Sequence, residues 1–270
     1  MAGDLTALDF AHDGGAAPVV IAEDSVRSVT IETWRFEGSR GDEVLADAYL
    51  ADEPGPVVIG GHGRGDSRKI QYLRGPSLQW AGRGVSFVSA DAPLHGDRAG
   101  EAPIPSVAIG DPGLLTRWVK DQRLLIDAVK ARFGSVPMLY LGVSMGAVMG
   151  CHLLAEDDRL QGGILVVGGS TVVSVPERFD DVEDDLAARL AVTDPELAVG
   201  RIAPRPILML NADDDEIFSR RSALALYDAL GPPKEISFFP GQHSRWRNPR
   251  QWNRRMWDFV EHTCSEAGRP

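Results

Sequence analysis

Positive charge is scarce in this sequence. There are 28 Lys and Arg against 39 Asp and Glu in 270 residues, a formal net charge of −11. Such a surface repels phosphate backbones and anionic lipid, so neither nucleic acid nor a membrane is expected as a partner. Cysteine is rarer still. Cys151 and Cys264 form no CxxC pair and no zinc-like spacing, so they read as two reduced thiols and no metal is expected. Long apolar runs are missing too. None approaches the ~20 residues that a membrane-crossing helix needs. The opening Met1-Ala2-Gly3-Asp4-Leu5 has no basic stretch leading into an apolar one. No signal peptide is expected, and the expected location is cytoplasmic. No repeat of fixed period and no low-complexity tract is present.

What the sequence does have is enough apolar material, 43%, for one domain with a sizeable core. Residues 1–25 show little periodicity and read as an N-terminal arm, leaving 26–270 as a single domain. Val26 to Phe36 alternates in part, as a half-buried strand does. A charged turn follows, and Val44 to Ala51 reads as the hairpin partner. Six short, continuously apolar runs come next, beginning at Pro56, Val85, Pro137, Gly163, Pro206 and Glu235. Such runs mark parallel strands covered on both faces. Helical patterns alternate with them: Arg68 to Gly82, Leu114 to Phe133, Met145 to Glu156, Arg220 to Leu230 and Arg250 to Cys264. The fold class is therefore α/β, with a mostly parallel central sheet and helices on both faces. One segment, at about 171–204, is longer than a connection needs. It carries Glu177, Asp180, Asp181, Glu183, Asp184, Asp185, Asp194 and Glu196 against Arg178 and Arg189. It reads as a solvated acidic helix and loop, or as a short cap over a pocket.

The pattern that carries chemistry is Gly142-Val143-Ser144-Met145-Gly146. Gly-x-Ser-x-Gly is weak by itself. Here an apolar strand runs directly into Ser144 and a helical pattern begins at Met145, the strand–elbow–helix that exposes a nucleophilic serine. Glycines two before and two after let the backbone pack closely, and the helix start favours developing negative charge. A serine hydroxyl needs a base. His243, in Pro240-Gly241-Gln242-His243, follows the last apolar run and so lies at the carboxyl edge of the sheet. His12, His152 and His262 read as packed or surface histidines. The base needs an orienting carboxylate, and Asp213, Asp214, Asp215 and Glu216 crowd one loop after the fifth run. Glycine-rich Gly60 to Gly65 follows the first run. It can turn backbone donors inward, and the N–H groups of Arg64 and Met145 are the expected oxyanion donors.

With these residues the sequence resembles the α/β-hydrolase superfamily, most closely its dienelactone-hydrolase-like and prolyl-oligopeptidase-related esterases. The resemblance runs from about Val26 to the C-terminal helix. It implies an α/β-hydrolase fold with a short cap insertion, and its nucleophile–acid–base order matches Ser144, the acidic loop, His243. The family's strand before the acid carries a glycine three residues ahead of the catalytic Asp. Ala212 stands there in this chain, which implies Asp215 and leaves Asp213 and Asp214 open. His62-Gly63 resembles the oxyanion turn. Asp91 to Arg98 resembles the loop after the next strand, so His62, His95 and Arg98 are candidates for the substrate pocket or for fixing loops, as is Asp97. Ile104, Val107, Ile109, Leu114 and Leu115, with Val172, Val173 and Val175, are expected as apolar pocket wall or as packing. Arg245, Arg247, Arg250, Arg254 and Arg255 could meet an anionic group or pair with acids on a helix face.

The activity implied is two-step acyl transfer on a small to medium carboxylic ester, without metal or organic cofactor. A thioesterase, acyltransferase or carbon–carbon bond hydrolase would use the same triad, and a non-catalytic binding protein is the rival of another class. The expected partner is a small-molecule ester or thioester, and a homo-oligomer is compatible with the sequence.

Overall fold

The continuous apolar runs become strands with almost no exposed position. In the computed structural model, which describes residues 8–100, 102–105, 107–179 and 181–267, β4 (Val57–Gly61), β5 (Ser86–Ala90), β6 (Met138–Val143) and β8 (Ile207–Ala212) are buried at every residue. With β7 (Leu160–Val166) they form the middle of a nine-stranded sheet. The order is β1-β2-β3-β5-β4-β6-β7-β8-β9, where β1 is Val19–Val26, β2 Val29–Glu37, β3 Glu43–Leu50 and β9 Lys234–Phe239. The first three strands run antiparallel, and β3 joins β5 antiparallel. Every pairing from β5 to β9 is parallel.

Alternation along each strand divides the interior into two cores. Val57, Ile59, Met138 and Tyr140 face one side, and Val58, Leu139, Leu141 and Val143 face the other. The first side is covered by α2 (Pro112–Phe133) and α3 (Met145–Glu156), the second by α1 (Gln71–Ala81) and α8 (Pro249–Ala267). The 22-residue α2 is well delimited. Asp111 caps it by accepting from the Leu114 N–H at 2.9 Å, Pro112 opens it, and Gly134 at φ 76° ends it.

One chain segment departs from expectation. The arm expected over residues 1–25 is shorter. Its end, from Val19, is the edge strand β1, whose first seven residues are exposed. A strand open to solvent on both faces has no reason to alternate, so periodicity does not reveal it. Residues 1–7 of that arm, and Asp180 of the acidic segment, lie outside the described residues. The insertion at 171–204 is three short helices, α4 (Thr171–Arg178), α5 (Asp184–Thr193) and α6 (Glu196–Val199). They lie against α2, α3 and α7 (Arg220–Ala229). One acid of the segment is structural. Buried Asp194 accepts from the N–H groups of Thr171 and Val172, both at 2.7 Å, and from the Ser170 and Thr171 hydroxyls. It thereby caps α4. Among the described residues no helix is long and apolar enough to cross a membrane.

Candidate active site

The turn between β6 and α3 forces Ser144 into φ 54°, ψ −112°, a conformation costly for any residue with a Cβ. Its surroundings impose it. The Ser144 N–H donates to Val166 O at 2.9 Å, and Ser144 O accepts from the Val148 N–H at 3.0 Å. The flanking glycines are steric requirements. A Cβ on Gly142 would overlap the Gly146 carbonyl, and a Cβ on Gly146 would overlap the Gly61 carbonyl.

The structure brings Ser144, His243 and Asp215 together. His243 Nε2 lies 2.8 Å from Ser144 Oγ, and His243 Nδ1 lies 2.9 Å from Asp215 Oδ2. An ionised carboxylate only accepts, so Nδ1 carries the proton and Nε2 is left to accept from the serine hydroxyl. Asp215 is fixed in turn: its Oδ1 accepts from the Ile217 and Phe218 N–H groups, each at 2.8 Å. Asp213 and Asp214 are exposed, and Asp213 pairs with Arg220. Two residues without an assigned role hold the histidine's backbone. Glu216 accepts from the His243 N–H at 3.0 Å, and the Trp246 indole donates to His243 O at 2.8 Å.

A cavity of about 420 Å³ opens beside Ser144. Ile70, Tyr72, Val167 and Trp246 make its apolar walls, and Arg64 and Asp66 add one charge of each sign. Val167 holds φ 46°, unusual for a β-branched residue and a second strained point at this edge of the sheet. Neither the Arg64 nor the Met145 N–H has a hydrogen-bond partner among the described residues.

This wall differs from the one expected. Leu114 and Leu115 belong to the core, Ile104 and Ile109 pack onto it, and Val175 is on the buried face of α4. No described residue of 171–204 lines the cavity. The arginines after His243 do not line it either: Arg245, Arg247, Arg250 and Arg254 are exposed, and Arg255 pairs with Glu235. His62, His95 and Arg98 lie behind the site as fasteners of loops. His62 Nε2 accepts from the Ala92 N–H at 3.0 Å, so its Nδ1 donates to Gly63 O at 2.8 Å. His95 Nδ1 donates to Pro93 O at 2.8 Å. Asp97 pairs with buried Arg68 at 2.8 Å. Arg98 is buried between Asp121, at 2.8 Å, and Asp42, at 2.7 Å.

Two predictions concern these fasteners and His152, which is buried with its Nε2 3.0 Å from Thr193 O. Arg98→Met should lower stability by about 3–5 kcal/mol, because it strands the buried Asp121 carboxylate without its cation. A urea midpoint equal to that of the wild type would contradict this. The second concerns pH. Burial first of all holds the pKa of His62, His95 and His152 below the ordinary histidine value of 6.5. These rings stay neutral in the folded chain while the unfolded chain takes up protons below about 6.5. The unfolded state then binds more protons, so the stability present above that pH is lost as pH falls through the window beneath it. Tm should drop between pH 7.5 and 5, and His152→Gln should flatten part of the drop. A Tm unchanged over that range would refute the assignment.

Among the described residues no three His, Cys, Asp or Glu side chains are grouped as a metal site. No family model and no curated protein matches the sequence. Solved structures do match the fold. A cold-adapted esterase from an Arctic intertidal metagenomic library superimposes with TM-score 0.70 at 23% identity, covering 90% of this chain and 98% of that one. An acetyl xylan esterase from Paenibacillus sp. R4 gives TM-score 0.76 at 18% identity, covering 91% and 87%. The alpha/beta hydrolase GrgF from Penicillium sp. sh18 gives 0.72 at 14%, covering 87% and 99%. With its strand order, its strained serine turn and these likenesses, the chain has the α/β-hydrolase fold.

Proposed function

We propose that this chain is a serine hydrolase that cleaves carboxylic esters of small to medium substrates through an acyl-enzyme on Ser144. The observation that carries the proposal is the unbroken line from Asp215 through His243 to Ser144 Oγ, which ends at a cavity lined by Ser144, His243 and Arg64. Ser144 Oγ attacks the ester carbonyl carbon and gives its proton to His243 Nε2. The carbonyl oxygen takes up negative charge beside the Arg64 and Met145 N–H groups, at the start of α3. Collapse breaks the bond to the leaving alkoxide, which takes the proton from Nε2. Water then attacks the acyl-enzyme, passes a proton to Nε2, and releases the acid as Ser144 recovers its proton. The esterase names of two of the similar structures support the ester as substrate. The cavity volume suits acyl groups of modest length.

The test is turnover of p-nitrophenyl esters of increasing acyl length beside matched acyl thioesters, together with fluorophosphonate labelling. Turnover of short esters and labelling confined to Ser144 are expected. Thioester turnover without ester turnover would move the assignment to a thioesterase. Equal labelling of wild type and Ser144→Ala would refute the nucleophile.

A further inference from the structure

Tyr72 and Asp66 line the cavity but take no part in the proton transfers described above. The Tyr72 hydroxyl lies between two groups. It accepts from the Gly63 N–H at 2.7 Å and donates to Asp66 Oδ2 at 2.7 Å. The direction is forced, because a carboxylate only accepts and the phenol can offer Gly63 only a lone pair. Burial, and then the bond to Asp66, push the phenol pKa well above its ordinary value, so the hydroxyl keeps its proton. The ring is steadied by Trp246, 6.0 Å away between centroids.

Asp66 also closes the loop from its backbone. Its N–H donates to Gly63 O at 3.2 Å across a turn whose third residue, Gly65, has φ 83°, as a type II turn requires. The bonds therefore form a ring: Gly63 N–H to Tyr72, Tyr72 O–H to the Asp66 carboxylate, Asp66 N–H back to Gly63 C=O. Gly63 has two soft torsions and no Cβ to limit them, and this ring fixes the peptide planes on both sides. In a trans peptide the Arg64 N–H points opposite the Gly63 C=O, so the ring sets its direction. The location is right as well. A Cβ built on Gly63 would stand 3.1 Å from both Tyr72 Oη and Asp66 Oδ2, and 3.6 Å from Ser144 Cβ.

We propose that Tyr72 and Asp66 are a brace on Gly63 that aims the Arg64 N–H at the developing oxyanion, and that Tyr72 is a positioning residue for transition-state stabilisation. This rests on the serine-hydrolase reading given above. The test is Tyr72→Phe, which keeps the ring and deletes the acceptor. Losing an oxyanion donor outright costs about 10²–10³-fold in kcat, so a misaimed one should cost about 10–100-fold with KM within about 2-fold. Rates are expressed per site titrated by a fluorophosphonate, which removes any effect of unfolded enzyme. A second readout is the ratio of activity on an ester to that on its thionoester. Sulfur accepts hydrogen bonds poorly, so an intact oxyanion site prefers the ester, and the variant should narrow that preference. Asp66→Ala keeps the turn N–H, removes the carboxylate, and should narrow it too. Unchanged kcat and ratio in both variants, with the wild type labelled at Ser144, would overturn the brace alone. A wild type that does not label would overturn the serine-hydrolase reading and the brace with it.

Discussion

Ser144→Ala is expected to lower kcat on activated esters by about 10⁶-fold, and to abolish phosphonate labelling, without measurable loss of fold. The size follows from what the hydroxyl does. Serine at the start of a helix usually caps it by accepting a backbone N–H. Ser144 makes no such bond. Its Oγ is turned to His243 Nε2 instead, so deleting it removes the proposed nucleophile and no cap. The backbone strain at φ 54° is the same for alanine, because both residues carry a Cβ. Thermal unfolding should therefore move by less than about 0.5 kcal/mol equivalent, the range of a substitution that touches no packing. Activity and stability thus separate at this one atom. A variant that kept a hundredth of wild-type turnover would place the nucleophile elsewhere.

How far the sequence discloses this molecule depends on what each segment is packed against. The middle strands are legible because both faces are covered, which demands apolar residues at every position, as in Val57-Val58-Ile59. Strand β1 is illegible for the opposite reason, since it is exposed almost throughout. The positions of Ser144 and His243 follow from local pattern, a serine between two sterically required glycines and a histidine just past the last strand. The cavity wall does not follow. Tyr72 lies in a helical stretch, Gln71-Tyr72-Leu73, where an aromatic reads as core. Leu73 goes to the core and Tyr72 to the cavity because of how α1 is turned on the sheet. Ile104, Ile109, Leu114 and Leu115 are attractive as a wall by composition alone, yet their packing partners lie in the core. Histidine at 62 and 95 is equally ambiguous in sequence. Only the bonds to Gly63, Ala92 and Pro93 show that both rings hold loops.

The acidic loop is the case in which local pattern offered four carboxylates and the resemblance alone favoured Asp215, and it carries the second large expected effect. Asp215→Asn should cost about 10⁴-fold in kcat, the scale of a base held in the wrong tautomer. Asp213→Asn and Asp214→Asn should stay within about 3-fold, as exposed substitutions away from the reacting groups do. The asymmetry within the Asp215 carboxylate decides how the amide would settle. Oδ1 accepts two backbone N–H groups, from Ile217 and Phe218, while Oδ2 is the nearer oxygen to His243 Nδ1. An asparagine keeps its oxygen where those two donors are, because turning the NH₂ toward them would set donor against donor in a buried place. The NH₂ must then face Nδ1. Two donors cannot meet there either, so His243 shifts its proton to Nε2, the nitrogen that should accept from Ser144 Oγ. The geometry survives and the base is lost. Phosphonate inactivation, which also needs the serine proton removed, should slow in parallel with kcat. A larger loss in Asp214→Asn than in Asp215→Asn would move the acid to Asp214 and undo this account of the loop.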